Sequence, residues 1–539
     1  MSIDRAGAAA EPSAPTIELE VDGVAVTVPD DGSSLLAVLR DRLGRVAVKD
    51  GCSPQGQCGC CTVLVDGAPR VACVTPARRV AGRSVVTVDG LDDEVRSRWG
   101  DAFAATGASQ CGFCTPGIIC RLEGLRAKDP RADRAAVDRA LAAHLCRCTG
   151  WQTIREAWST AADAAEDPQS PPAWSVGRDP ELAATRAALE GATVQHVGPS
   201  VALGRGGFAD DTAPPDALVA VADGSGGWVV GETLAEARSL SGKVQGRRPS
   251  VEAAPPLDLP PGEWDLTLRT SWVEPAYLET DASWCAPGGV PATPLANGGA
   301  FGAKRHSMVA DAARQLADLH GRPVRVLLSR EDTVRLCPKR PPIAAGVRAD
   351  GRGVIRVART DRWAAEVRLV APGFEVEEID LPGPPTSVDL RGAGWVEASV
   401  LLAALARRDL SGATGVDVDI ASPSGGRASA LVAGDGSLSV GVHAGAALDP
   451  VVLRSYAIGA AHMAYSWVTS EGLAVDHDGS VTSLTIRSFG VVRPVDSPEV
   501  DVVIHDDGSE AVNGSDAVFA SVAAAVWLAR GLPTDWPTG

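Results

Sequence analysis

No run of apolar residues in this 539-residue sequence approaches the length that a bilayer-spanning helix needs. The segment Met1 to Pro15 is rich in Ala and Pro, carries Asp4 and Glu11, and has no apolar core, so it reads neither as a signal peptide nor as an anchor. Positive charge is also short. Lys and Arg number 50 against 68 Asp and Glu, a net charge of −18. Such a surface repels nucleic acid and anionic membranes and excludes both as main partners. These absences predict a cytoplasmic protein. Hydrophobic residues at 45% and charged residues at 22% describe a globular chain, long enough for roughly three or four domains.

Cysteine, by contrast, is plentiful and unevenly placed. Twelve are present, and ten fall before residue 150. In a cytoplasmic chain this points to metal rather than disulfides. One group reads Gln110-Cys111-Gly112-Phe113-Cys114-Thr115-Pro116 and closes, after a helical hairpin, with Cys146-Arg147-Cys148-Thr149-Gly150-Trp151. The hairpin returns the second pair beside the first. Thr115-Pro116 reads as an N-cap followed by Pro at the first helical position, and Thr153 with Glu156 as a capping box. Both helix N-termini would then face the cysteine loops, where their partial positive charge suits an anionic cluster. The assignment is a [2Fe-2S] cluster on Cys111, Cys114, Cys146 and Cys148. Taken alone, the same four thiols would also suit a structural zinc ion.

The second group lies upstream. Alternating Ile17, Leu19, Val21 and Val24, Val26, Val28 flank Asp22-Gly23, a two-strand hairpin with a tight turn. Ser33 to Leu43 has helical spacing, with Ser33 or Ser34 as cap and Gly44 as stop. A loop follows: Gly51-Cys52-Ser53-Pro54-Gln55-Gly56-Gln57-Cys58-Gly59-Cys60-Cys61-Thr62. The strand Thr62 to Val65, the turn Asp66-Gly67, Cys73 and a strand from Ser84 to Val88 complete a small α+β unit. Plant-type ferredoxins use C-x4-C-x2-C and a distant cysteine; here the first gap holds five residues. Glycines let the loop bend around inorganic sulfide and present N–H groups to it. Cys52, Cys58, Cys61 and Cys73 are assigned to a second [2Fe-2S] cluster, with Cys60 as a spare thiol that could replace a neighbour. Two four-thiol groups on these frameworks disfavour zinc. Cys120, Cys285 and Cys337 read as buried or incidental thiols.

A β-grasp ferredoxin with GC…CGxCTV, followed by QCGFCTPG and LCRCTG, resembles the iron–sulfur module of the xanthine oxidase/aldehyde oxidase family of molybdenum hydroxylases over roughly Thr16 to Ala165. The resemblance implies an α+β multidomain chain: a ferredoxin domain over 16–90, a helical [2Fe-2S]-binding domain over 91–165, a linker over 166–175, and a shortened α+β molybdopterin-binding-like region over 176–539. It also implies that the helical-domain cluster lies nearer the molybdopterin, with Gln110 and Cys146 beside the pterin. The ferredoxin cluster would lie nearer a flavin or the outside.

Beyond the linker the likeness is looser. Asn297-Gly298-Gly299-Ala300-Phe301-Gly302-Ala303-Lys304 is similar to the family's GGGFGxK segment, so Gly298, Gly299, Phe301 and Gly302 are candidate molybdopterin contacts. A helical pattern over Val309 to Leu319 and then Gly321-Arg322-Pro323-Val324-Arg325-Val326 follow. Arg391-Gly392-Ala393-Gly394 resembles the RGxG segment, whose arginine helps bind substrate. Asp449-Pro450, Gly459 to Gly472 and Asp496-Ser497-Pro498 follow in the family's order. Two departures stand out. Little room remains between Pro287 and Pro294 for the family's glutamine segment. The family's catalytic glutamate, a base for metal-bound hydroxide, is matched here by Ser515, which has no useful basicity, with Asp516 or Glu510 as stand-ins.

The resulting expectation is an oxidoreductase component that passes electrons from a molybdopterin site through two [2Fe-2S] clusters to a flavin or other acceptor. The molybdopterin would lie in this chain or a partner, and FAD outside it. The implied partners are a molybdenum subunit, a flavin subunit and a second copy of the chain. The competing readings are a self-contained compact hydroxylase and a non-catalytic assembly or scaffold protein.

Overall fold

Alternation builds the first sheet. Ile17, Leu19 and Val21 are buried along β1 (Thr16–Val21) while Thr16, Glu18 and Glu20 face solvent. β2 (Val24–Pro29) returns through Asp22 and Gly23, whose φ values of 52° and 77° are those of a two-residue type I′ turn. The helical segment is shorter than its spacing predicts. α1 (Leu35–Ala37), capped by the Ser34 hydroxyl, passes into a wide turn over Val38–Arg42 and stops before Gly44. There Arg40 leaves the helix axis to hold the carbonyls of Val46 and Val48 at 2.7 and 2.8 Å. β3 (Thr62–Val65), β4 (Ala68–Val71) and β5 (Ser84–Val86) complete a five-stranded sheet of order β2-β1-β5-β3-β4.

Four helices follow: α2 (Asp93–Thr106), α3 (Thr115–Arg126), α4 (Arg134–Leu141) and α5 (Gln152–Glu166). Two expected caps differ in detail. The N-cap of α3 is Cys114, with Thr115 already helical and Pro116 next to it. No capping box opens α5, because Trp151 enters at φ 70° and Glu156 accepts two bonds from Arg454 at 2.7 and 2.8 Å. One continuous core, including Val65, Trp99, Phe103, Ile118 and Trp151, runs through both units.

The computed structural model describes residues 15–166, 174, 177–242, 252–295, 304–305 and 307–539. From residue 177 the chain runs through α6 (Pro180–Gly191), α7 (Pro199–Ala202), α8 (Ala209–Thr212), β6 (Leu218–Ala222), β7 (Trp228–Gly231), α9 (Leu234–Ser241), β8 (Leu266–Thr270), β9 (Ala282–Cys285), α10 (Val309–His320) and β10 (Val324–Leu327). It continues through α11 (Arg330–Leu336), β11 (Ile343–Val347), β12 (Gly353–Ala358), α12 (Trp363–Val370), β13 (Phe374–Ile379), α13 (Trp395–Leu405), β14 (Val418–Ala421), β15 (Arg427–Val432), β16 (Leu438–His443), α14 (Pro450–Thr469), β17 (Val500–His505), α15 (Ser515–Ala529) and β18 (Asp535–Trp536). Three sheets result, ordered β7-β6-β10-β9, β13-β12-β11-β8-β18 and β14-β15-β16-β17. The expected helix from Val309 is present, and the strand β10 follows it. Helices α14 and α15 are buried almost all round and form the centre of a second large core. The whole is α+β, as expected. Among the described residues no helix is long and apolar enough to cross a membrane.

Candidate metal centres

The first centre is a loop held against the end of β3. Cys52, Cys58, Cys60, Cys61 and Cys73 are all buried. The Cys52 thiol reaches those of Cys58 and Cys73, and Cys73 also reaches Cys61. Backbone N–H groups point at sulfur: Gln55 donates to Cys52 Sγ at 3.2 Å and Cys73 to Cys61 Sγ at 3.4 Å. Thiol donation from Cys58 and Cys73 pulls Cys52 well below the ordinary thiol range, and the same contacts push Cys58 and Cys73 up. Cys60 reaches Cys58 and lies toward the second centre, within charge range of Cys111. A Cβ on Gly51 would sit 3.1 Å from Cys60 Sγ and 3.2 Å from Cys58 Sγ, so glycine leaves the room these thiols need.

The second centre lies between the start of α3 and the α4–α5 connection. Its thiols meet in two pairs. Cys111 and Cys148 are 3.8 Å apart sulfur to sulfur, and Cys114 meets Cys146. Cys146 is drawn down to about 6 by the Cys114 thiol, the Thr149 hydroxyl at 3.1 Å and the N–H groups of Thr149 and Cys148. Among the described residues no three metal-ligating side chains close on a single ion. In the second centre the thiols gather by twos, in the first they run as a chain from Cys58 through Cys52 and Cys73 to Cys61, and two irons holding four thiolates take two each. The donor set and the N–H groups aimed at sulfur fit a [2Fe-2S] cluster in each loop. Cys120 lies apart, buried in α3, as do Cys285 and Cys337 in the later part of the chain.

The two centres touch through the backbone. The Leu145 N–H donates to the Cys58 carbonyl at 3.0 Å, so one hydrogen bond links the residue before Cys146 to Cys58. Gly117 of α3 packs on the first loop so closely that a Cβ would lie 2.4 Å from the Gly59 carbonyl oxygen. His144 fills the adjoining space against Gly59, with Nε2 3.2 Å from the Thr62 hydroxyl, and burial depresses it to about 3.

On its far side the second centre meets α14. The Gln110 side-chain amide donates to the Cys148 carbonyl at 2.9 Å and to the carbonyl and hydroxyl of Ser455 at 3.2 and 3.0 Å. Gly459 faces the same carbonyl, where a Cβ would stand 1.9 Å from oxygen. Arg147, between the paired cysteines, forms a two-bond ion pair with buried Glu471 and donates to the Pro275 carbonyl at 3.0 Å. Gly459 and Glu471 fall in the Gly459 to Gly472 segment that the sequence singles out, whereas Ser455 lies outside it; what that segment touches becomes visible only in the fold.

The residues expected at a molybdenum end are committed to one another. Arg391, at φ 53°, donates to the Ser515 hydroxyl and the Asp516 carboxylate, both at 2.8 Å. Buried Glu190, held by Arg186 at 3.0 Å, accepts from the N–H groups of Gly514 and Ser515 at the start of α15. Glu510 is exposed and takes no part. The cavity beside Arg391, lined by Arg340, Glu274, Trp467 and Phe519, encloses about 40 Å³, space for a few waters. These residues do not fit a molybdenum cofactor at Ser515. Gly298, Gly299, Phe301 and Gly302 lie outside the described residues, while Lys304 is buried 3.0 Å from Glu279 and 3.4 Å from Asp281.

Two sequence families match the chain. One, described as a 2Fe-2S iron-sulfur cluster binding domain, covers residues 17–79, and the other, described as a [2Fe-2S] binding domain, covers 87–159. The chain is 42% identical over 142 residues to the nicotine 6-hydroxylase small subunit of Paenarthrobacter nicotinovorans, a match spanning 26% of this chain and 86% of that protein. It is 37% identical over 144 residues to the nicotinate dehydrogenase small FeS subunit of Eubacterium barkeri, spanning 26% and 91%. Among solved structures, the aldehyde oxidoreductase (MOP) from Desulfovibrio gigas superposes with a TM-score of 0.68 over 95% of this chain and 97% of that chain, at 14% identity, a likeness of fold. The chain therefore belongs to the xanthine oxidase/aldehyde oxidase family of molybdenum hydroxylases, a family of oxidoreductases, and carries two [2Fe-2S]-binding domains ahead of a region that completes an aldehyde-oxidoreductase-like fold.

Proposed function

We propose that this chain is the electron-transferring iron–sulfur component of a molybdenum hydroxylase. One [2Fe-2S] cluster is held by Cys52, Cys58, Cys61 and Cys73 in a domain over 16–90, the other by Cys111, Cys114, Cys146 and Cys148 in a domain over 91–165. The observation that carries this reading is the gathering of four thiols in each of two loops joined by the Leu145 to Cys58 hydrogen bond. When bound, the clusters supply sites that accept and release one electron at a time. The chain's own part is to fix their surroundings. N–H groups of Gln55 and Cys73 steady negative sulfur, burial of the first loop's cysteines excludes water there, and Gln110 and Gly459 lock the Cys148 loop onto α14.

The region over 176–539 acts in this reading as a docking body rather than as the site of substrate oxidation. Ser515 cannot take a proton at neutral pH, and Asp516 is engaged by Arg391. Substrate chemistry then falls to a separate molybdenum chain that meets the Gln110 side, and a flavin chain or other carrier takes electrons from the ferredoxin side. The curated relatives named as small subunits support a division of this kind. The full-length likeness of fold to a complete aldehyde oxidoreductase favours a second reading, a compact hydroxylase acting alone. Metal analysis of the purified chain separates them. Iron and acid-labile sulfide without molybdenum support the first, whereas one molybdenum per chain with turnover of an aldehyde or N-heterocycle defeats it.

A further inference from the structure

Arginines in this chain are mostly paired with carboxylates, as at Arg40, Arg147, Arg186, Arg340 and Arg454. An exception surrounds the ferredoxin-type loop. Arg70 on β4, Arg121 on α3, Arg139 on α4 and Arg487 form no ion pair among the described residues, and the Arg487 guanidinium donates to the carbonyls of Gln57 and Ala142, both at 3.0 Å. Arg70, Arg139 and Arg487 are exposed and Arg121 is half-buried. They are neighbours in space. Arg121 lies within charge range of Arg70, and both Arg121 and Arg487 act on His144. Arg139 sits one turn before Ala142, whose carbonyl Arg487 holds. The thiols of Cys58 and Cys52 lie within the same range of Arg487.

An apolar residue stands beside this arc. Val74, directly after Cys73, is 58% exposed and packs on Gly56 in the cysteine loop, where a Cβ would lie 2.8 Å from its methyl carbon. Gly56 is followed by Gln57, whose carbonyl Arg487 holds, so an exposed apolar residue and an uncompensated guanidinium group meet the same cysteine loop, the make-up of an interface anchor with a charged rim. On a chain of net charge −18 overall repulsion would drive acidic proteins away, so a local positive field there selects where one may approach.

We propose that this face is the docking surface for a small acidic one-electron carrier protein whose carboxylates ring its own redox group. The inference rests on the reading of the ferredoxin-type loop given above and names the kind of partner that meets it. Each encounter moves one electron from the chain to an oxidised carrier, with no atom transferred.

The test is binding, with a plant-type acidic [2Fe-2S] ferredoxin as the probe. Its dissociation constant for the purified, cluster-loaded chain is measured by titration calorimetry as ionic strength rises from roughly 20 to 500 mM, a range over which exposed charges become screened. The expected result is binding that weakens at least about 10-fold with salt and, at low salt, about 10-fold on Arg70→Glu with Arg139→Glu, two exposed substitutions that leave the cysteine loops intact. Val74→Ser should weaken it at every salt concentration. No binding at low salt, binding indifferent to salt, or unchanged affinity in the double variant overturns the proposal. Iron content on the same sample tells which idea fails: a chain without clusters removes the underlying reading, whereas a loaded chain that ignores the ferredoxin removes only the docking surface.

Discussion

Leu145 and Cys58 share a backbone hydrogen bond of 3.0 Å, which ties the cysteine loop of the sheet domain to the residue before Cys146. The close approach depends on Gly117. Its substitution by alanine would put a methyl group 2.4 Å from the Gly59 oxygen and 2.7 Å from that of Cys60. Gly117→Ala should therefore force the loops apart, cost about 1–3 kcal/mol through overpacking, and disturb both paramagnetic signals of the reduced protein. Unchanged melting and unchanged spectra would show that the loops are not held by this contact.

The thiol contacts separate the ligand sets. Cys148→Ser should abolish one of two distinct [2Fe-2S] signals and spare the other, because Cys148 meets Cys111 and not the first loop. Cys60→Ala should leave the iron content intact, since Cys61 is the thiol that meets Cys73. Electron paramagnetic resonance with iron analysis reads both variants. Loss of the ferredoxin-type signal in Cys60→Ala would transfer the ligand role to Cys60.

Arg147 and Glu471 are both almost fully buried. Glu471→Gln leaves the guanidinium without its counter-charge beside the second centre, and the expected loss is about 3–5 kcal/mol. Replacing both partners with apolar residues should cost less than Glu471→Gln alone. Urea denaturation of the two variants measures this, and a Glu471→Gln chain as stable as the parent would contradict it.

His462 on α14 is fully buried, and burial together with Arg147 depresses it from 6.5 to about 3. The unfolded chain binds this proton first as pH falls. The contribution to stability is therefore complete above pH 6.5 and is lost progressively between 6.5 and about 3, with a slope of up to about 1.4 kcal/mol per pH unit. His462→Gln should flatten that acid limb. An identical pH profile in the variant would assign acid sensitivity to other groups.

The front of the chain was legible because its signals are local. Asp22-Gly23 specifies its turn, cysteine spacing specifies its loops, and Pro116 marks a helix start within a residue. What the sequence hid depends on residues far apart in the chain. Spacing makes Glu156 a capping partner for Thr153, but it answers to Arg454, nearly 300 positions away, as the fold brings α14 alongside α5. Ser515 aligns with the family's glutamate by resemblance alone, and nothing local announces that Glu190 takes the N–H groups beside it. The arginine arc was hidden for the same reason: it is assembled from β4, α3, α4 and the segment after α14, and net charge alone pointed the other way.

The most direct test of the central claim is a dithionite titration of the anaerobically purified chain followed by electron paramagnetic resonance at low temperature. The account predicts two distinct signals, each integrating to about one spin per chain, from a protein holding about four irons. A chain that never bleaches, or that yields a single signal with half that iron, would contradict it.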